Sequence, residues 1–212
     1  MSEIVDEHHK LGSEILSKIE GKAVFDLLNE LNFVSNELSE FIVSFAYGQI
    51  FPLPHLDLKT KELLILAMLL SKGNADAQLK VHLKSALNTG NSFQEIEELI
   101  QIFTRLTSPL KRLIFCDLLE IQKNTTCLND RNIDQKLNVK NTFLIQIAIL
   151  SALGNNEEIL TSIIKEAINN EVNKEEINEV MLLLIPYCGF PNSINGTLIL
   201  KQALIELSTK NK

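Results

Sequence analysis

The chain is written twice. Residues 56–74, LDLKTKELLILAMLLSKGN, align without a gap to residues 137–155, LNVKNTFLIQIAILSALGN. Leu56/Leu137, Lys59/Lys140, Leu63/Leu144, Ala67/Ala148, Leu69/Leu150, Gly73/Gly154 and Asn74/Asn155 are identical. The register continues through Leu79/Leu160, Lys84/Lys165, Ala86/Ala167, Asn88/Asn169 and Glu95-Ile96/Glu176-Ile177. A match that holds one register this long constrains the fold more than any single motif, because each copy must then form the same supersecondary unit.

That unit reads as helical. In the first copy an apolar helix is expected over about 57–70, stopped by Gly73-Asn74, residues that tolerate a left-handed turn. A second helix follows over about 75–88, stopped by Thr89-Gly90. Ser92 then has the character of an N-cap, with Glu95 completing a capping box before Ile96, Leu99, Ile100 and Phe103. Asn173 and Glu176 repeat the pattern in the second copy. Abundant Leu and Ile, with aromatics at 6% and no Trp, also favour packed helices over a sheet sandwich. The expected architecture is all-α, a helical bundle of two tandem repeats.

The divisions expected are an N-terminal helical region over 1–55, a first repeat over 56–120, a polar linker over 121–136 and a second repeat over 137–212 packed with the first as one domain. In the N-terminal region, Leu27, Leu28, Leu31, Val34, Leu38, Phe41, Ile42 and Phe45 have the spacing of one core-facing helical stripe. Pro52 and Pro54 break the chain before the first repeat. His8-His9 lies in a polar stretch expected to be disordered, and His55 falls in the Pro-rich turn; neither is taken as a metal ligand.

Acidic residues outnumber basic ones, 27 to 20, for a net charge of −7. With no Lys/Arg cluster, this argues against a nucleic-acid partner. The longest apolar runs are too short to cross a bilayer, and the first residues do not read as a secretory signal. Cys116, Cys127 and Cys188 show neither CxxC nor zinc-ligand spacing. Reduced thiols in a cytoplasmic protein, without an internal disulfide, metal or cofactor, are the expectation.

Residues 45–69, FAYGQIFPLPHLDLKTKELLILAML, and 82–100, HLKSALNTGNSFQEIEELI, together with YCGFP at 187–191, resemble the carboxymuconolactone decarboxylase family, which is related to alkylhydroperoxidase D. The resemblance covers roughly 40–205 and implies a helical bundle of the alkylhydroperoxidase D-like type. It also implies two candidate chemistries. Thiol peroxidases of this kind carry CxxCxxxH; with His82 as its histidine, the cysteine positions hold Ala75 and Gln78, so the disulfide mechanism is the least favoured reading.

The lactone decarboxylase branch requires proton handling instead. Glu62 and His82 match the family's Glu and His, and their counterparts in the second repeat are Phe143 and Ile163. The implied function is proton transfer or decarboxylation on a small carbonyl or lactone acid, with Glu62 and His82 as acid/base groups. The alternative is a catalytically degenerate member that serves as a ligand-binding or structural oligomer.

Each residue also has a plain reading. Glu62 lies in the first turns of a helix, where the macrodipole favours a carboxylate without catalysis; its line with Leu66 and Leu69 aims it instead at the apolar side, where its pKa would rise. His82 shares a stripe with Leu79 and Ala86 and can be a satisfied core residue. Lys61 reads as a solvated neighbour of Glu62 or as a partner for a substrate carboxylate. Tyr187 belongs to a stretch that can be a mere helix interruption, yet it is the member of YCGFP best placed to reach a site. Finally, residues 176–185 are apolar almost all round, which demands cover from the rest of the chain or from another. Since single-copy relatives form rings, a homotrimer is expected, with a dimer as the alternative.

Overall fold

Asp57 and Asn138 stand at equivalent positions and start equivalent helices. Each has extended backbone, and its side-chain oxygen accepts the N–H of the residue three on, Thr60 or Asn141, at 2.7 Å in both cases. In the computed structural model, which describes residues 2–19, 22–107 and 136–210, every regular element is helical. The protein is an all-α helical bundle.

The chain divides into two compact units, Met1–Pro54 and His55–Lys212. In the first, α1 (Ser2–Ile19) packs on a π-helical segment (Phe41–Ile50), with α2 (Lys22–Asn32) and α3 (Asn36–Glu40) between them in sequence. Two glycines allow the close approach: a Cβ on Gly12 would lie 2.0 Å from the Val43 carbonyl oxygen, and one on Gly48 would lie 2.2 Å from that of His8.

Two expectations fail in this unit. His8 and His9 are helical, not disordered, and His9 Nε2 lies 3.4 Å from Glu40. Nor do residues 27–45 form one core-facing stripe. A turn at Phe33-Val34 and a new N-cap at Ser35 reset the helical phase, and the five-residue turns after Phe41 shift it again. Leu27, Val34, Leu38 and Phe41 are therefore exposed, while Val24, Leu28, Val43, Ala46, Tyr47 and Ile50 are buried.

In the second unit the first repeat comprises α4 (Leu58–Lys72), α5 (Asp76–Asn88) and α6 (Phe93–Leu106). The second comprises α7 (Val139–Leu153), α8 (Glu157–Asn169) and α9 (Lys174–Cys188), followed by α10 (Phe190–Lys210). The expected punctuation is present in both copies. Gly73 and Gly154 end α4 and α7 at φ of 69° and 68°. The capping boxes Ser92/Glu95 and Asn173/Glu176 open α6 and α9. The linker expected over 121–136 lies, except for Lys136, outside the described residues, as do Cys116 and Cys127.

Helix α4 is the centre of this unit. It packs against α5 and α6 of its own repeat and against α7 and α9 of the other, and every residue from Lys61 to Ser71 is buried. Helix α9 is also buried within the chain: Ile177, Val180, Met181, Leu183 and Leu184 have no exposed surface. Its apolar character is therefore met within the chain, one of the two covers expected above, and gives no separate argument for assembly. The exposed large apolar residues of this unit lie instead mainly on α10, at Phe190, Ile194, Leu198 and Ile205. Among the described residues no helix is long and apolar enough to cross a membrane.

Candidate active site

Glu62 follows the first turn of α4, and His82 lies midway along α5. Gly73 reverses the chain between these helices so that they pack side by side, which brings the two side chains together. Glu62 Oε2 and His82 Nδ1 are 2.9 Å apart, with Glu62 fully buried and His82 5% exposed. Glu62 thus points to the apolar side of its helix, as its line with Leu66 and Leu69 implied. Burial strengthens the interaction, because little water competes for either partner.

Tyr187, near the end of α9, meets the imidazole edge-on with ring centroids 5.2 Å apart and an interplanar angle of 84°. Gly189 ends α9 in a left-handed conformation, and Phe190-Pro191 open α10. YCGFP is thus a junction between helices that also delivers an aromatic ring to His82. The second repeat places no polar pair at the corresponding positions, since Phe143 and Ile163 stand there, both half-buried.

Lys61 is not a solvated neighbour of Glu62. It is 1% exposed, and its Nζ lies 2.7 Å from Glu179 Oε1 on α9. Burial pushes the Lys61 ammonium below the usual lysine range, against the opposing pull of Glu179 and Asp57.

Sequence reasoning overlooked Glu179, although a signal for it existed. Glu98 and Glu179 are identical in the repeat register, one turn after the capping-box glutamates. The structure gives them reciprocal tasks. Glu98 Oε2 accepts the N–H of Leu137 at 2.9 Å, while Glu179 accepts that of Leu56, the register counterpart of Leu137, at 3.2 Å. Each repeat thus grips the start of the other.

The thiol positions agree with the sequence: Ala75 and Gln78 occupy the N-cap and first turn of α5. Cys188 is a free thiol whose burial pushes its pKa up to about 11, with Lys72 opposing the shift weakly. Among the described residues no group of His, Cys, Asp or Glu is arranged to hold a metal ion.

Two stretches of the chain, 36–103 and 120–202, match the model of the carboxymuconolactone decarboxylase family. The 4-carboxymuconolactone decarboxylase of Acinetobacter baylyi (strain ATCC 33305 / BD413 / ADP1) is 33% identical over 96 residues, which are 45% of this chain and 71% of that relative. With the family's pattern matched in both repeats, the chain belongs to the carboxymuconolactone decarboxylase family.

Proposed function

We propose that the protein acts on a small carbonyl or lactone acid by proton transfer coupled to decarboxylation, with Glu62 and His82 as the acid/base pair. The observation that carries this reading is the buried 2.9 Å contact between Glu62 Oε2 and His82 Nδ1, confined to one repeat within a decarboxylase family. A carboxylate held on Nδ1 fixes the ring and leaves Nε2 to exchange a proton with substrate. In the reaction, the bond from carbon to the departing carboxylate breaks and carbon dioxide leaves. The electron pair passes into the conjugated carbonyl, and a proton from the pair then reaches carbon. No thiol or external oxidant enters this balance. Tyr187 walls the imidazole and contacts the substrate beside it. Lys61, whose charge Glu179 offsets, braces the first turn of the helix that carries Glu62.

The test is carbon dioxide release from a panel of lactone acids that includes 4-carboxymuconolactone, the compound named for the relative. Turnover that disappears in Glu62→Gln and in His82→Ala supports the proposal. Absence of turnover across the panel favours the second reading, a ligand-binding or structural family member, which the loss of the polar pair from the second repeat favours.

Assembly as a cytoplasmic homotrimer belongs to the same proposal. It is supported by the duplicated family unit and by the exposed apolar residues Phe190, Ile194 and Leu198, which recur every four residues on α10. Light scattering would give a mass near three times 23.9 kDa for this ring and near two times 23.9 kDa for a dimer.

A further inference from the structure

We propose that Glu179, a residue of the second repeat, is a positioning residue for the Glu62–His82 pair of the first. The inference adopts the reading of that pair as the reactive one, but its geometry stands without it. Glu179 Oε2 accepts the backbone N–H of His55 at 2.8 Å; Oε1 accepts that of Leu56 at 3.2 Å and takes Lys61 Nζ at 2.7 Å. These three donors bracket the first turn of α4. Glu62 is the next residue after the last of them, so the carboxylate that fixes this turn also fixes the direction in which Glu62 leaves the helix.

Burial gives the arrangement its force. The side chains of Lys61 and Glu179 are 1% and 2% exposed, and a charge-assisted bond so far from water tolerates little slack. The opposite end of the same helix reaches the other partner. Tyr187 lies eight residues beyond Glu179, about 12 Å along the α9 axis, and its ring abuts His82. One rigid element of the second repeat therefore touches the mountings of both the carboxylate and the imidazole.

The mirror position shows what Glu179 adds to simple clasping. Glu98 makes the reciprocal bond to the Leu137 N–H at 2.9 Å, but the register counterpart of Lys61 is Thr142, that of Glu62 is Phe143, and that of Tyr187 is Leu106. Glu98 is thus a clasp without a pair to position, and it supplies an internal control.

The experiment is a long-range 1H–15N spectrum of the His82 ring in the full chain, with Glu62→Gln as the reference for a ring that has lost its carboxylate. Glu179→Gln keeps the shape and one amide-accepting oxygen, so it serves beside Glu179→Ala in case the latter fails to fold. We expect both ring nitrogen shifts in Glu179→Gln to move from the wild-type values toward those of Glu62→Gln, and those in Glu98→Gln to stay at the wild-type values. Wild-type shifts in Glu179→Gln would overturn the inference, since Glu179 would then hold the repeats together and nothing more. Equal movement in Glu98→Gln would overturn it too, by showing that any loosened clasp disturbs the ring. A protein without turnover on any lactone acid, but with His82 shifted in Glu179→Gln alone, would defeat the proposed reaction and leave the positioning role intact.

Discussion

The same point on the same helix carries a buried glutamate in the first repeat, Glu62, and a half-buried phenylalanine in the second, Phe143. One helix further on, a buried histidine faces a half-buried isoleucine across the register, His82 against Ile163. Other positions have hardly changed. Lys59–Glu95 and Lys140–Glu176 form matching ion pairs at 2.9 and 2.7 Å, both capping boxes are intact, and both α4 and α7 end on a left-handed glycine. The difference teaches that local devices which start and stop helices are needed wherever the helices are, whereas a polar pair in a core is kept only where both partners are present to satisfy each other. Burying a carboxylate and an imidazole is unfavourable without mutual satisfaction, and the second copy fills the same two positions with apolar side chains.

The sharpest way to break this comparison is to test both copies for activity. His82→Ala should lower decarboxylation by about 100-fold or more, the usual scale for losing a positioned acid/base group, while Ile163→Ala should leave the rate per folded molecule unchanged. Steady-state assay of carbon dioxide release measures both. Equal losses would show that the second repeat also forms part of a site.

The clasps come next. Glu179→Ala removes the carboxylate that pairs with the buried Lys61 ammonium and should cost about 3–5 kcal/mol, the range for breaking one side of a buried pair. Glu98→Ala removes a single amide acceptor and should cost about 1 kcal/mol. Urea unfolding of the two variants gives the ratio, and similar costs would mean that the interactions Lys61 retains, or loss of its proton, offset the missing carboxylate.

A smaller effect is expected where the register pairs Gly90, φ 97°, with Glu171, φ 67°. A left-handed residue with a Cβ is strained, so Glu171→Gly should raise stability by about 0.5–1 kcal/mol after the added freedom of the unfolded chain is subtracted. An unchanged or lower melting temperature would show that the Glu171 side chain contributes more than its backbone loses. The smallest effect concerns Cys188, in the register position of Thr107. With its pKa at about 11, the thiol should remain unmodified by iodoacetamide at pH 8 in the folded protein and react once unfolded. Peptide mass spectrometry at Cys188 checks this, and rapid native labelling would reopen the thiol chemistry set aside above.

What the sequence discloses follows the range of the forces involved. The caps at Ser92 and Asn173 and the stops at Gly73 and Gly154 were legible because they act within one turn. Glu62 and His82 were legible because they match the family's Glu and His, whereas their 2.9 Å contact comes from the packing of α4 on α5. The Lys61–Glu179 bond was not, since its partners are 118 positions apart and nothing in either neighbourhood announces the other. What covers α9 was left open for a related reason: an apolar helix states that it must be covered but not by what. The stripe over 27–45 failed because a turn and a run of wide helical turns each reset the phase that periodicity assumes to be continuous.

The reciprocal bonds, Glu98 to Leu137 and Glu179 to Leu56, are those that two identical subunits would exchange across a twofold axis. In such a dimer every mutation occurs twice, so a site cannot be abandoned on one side and kept on the other. Once the two halves share a single reading frame that coupling is gone. Each can then carry its own substitutions, and the exchange of carboxylates is the seam that holds the two unlike halves together.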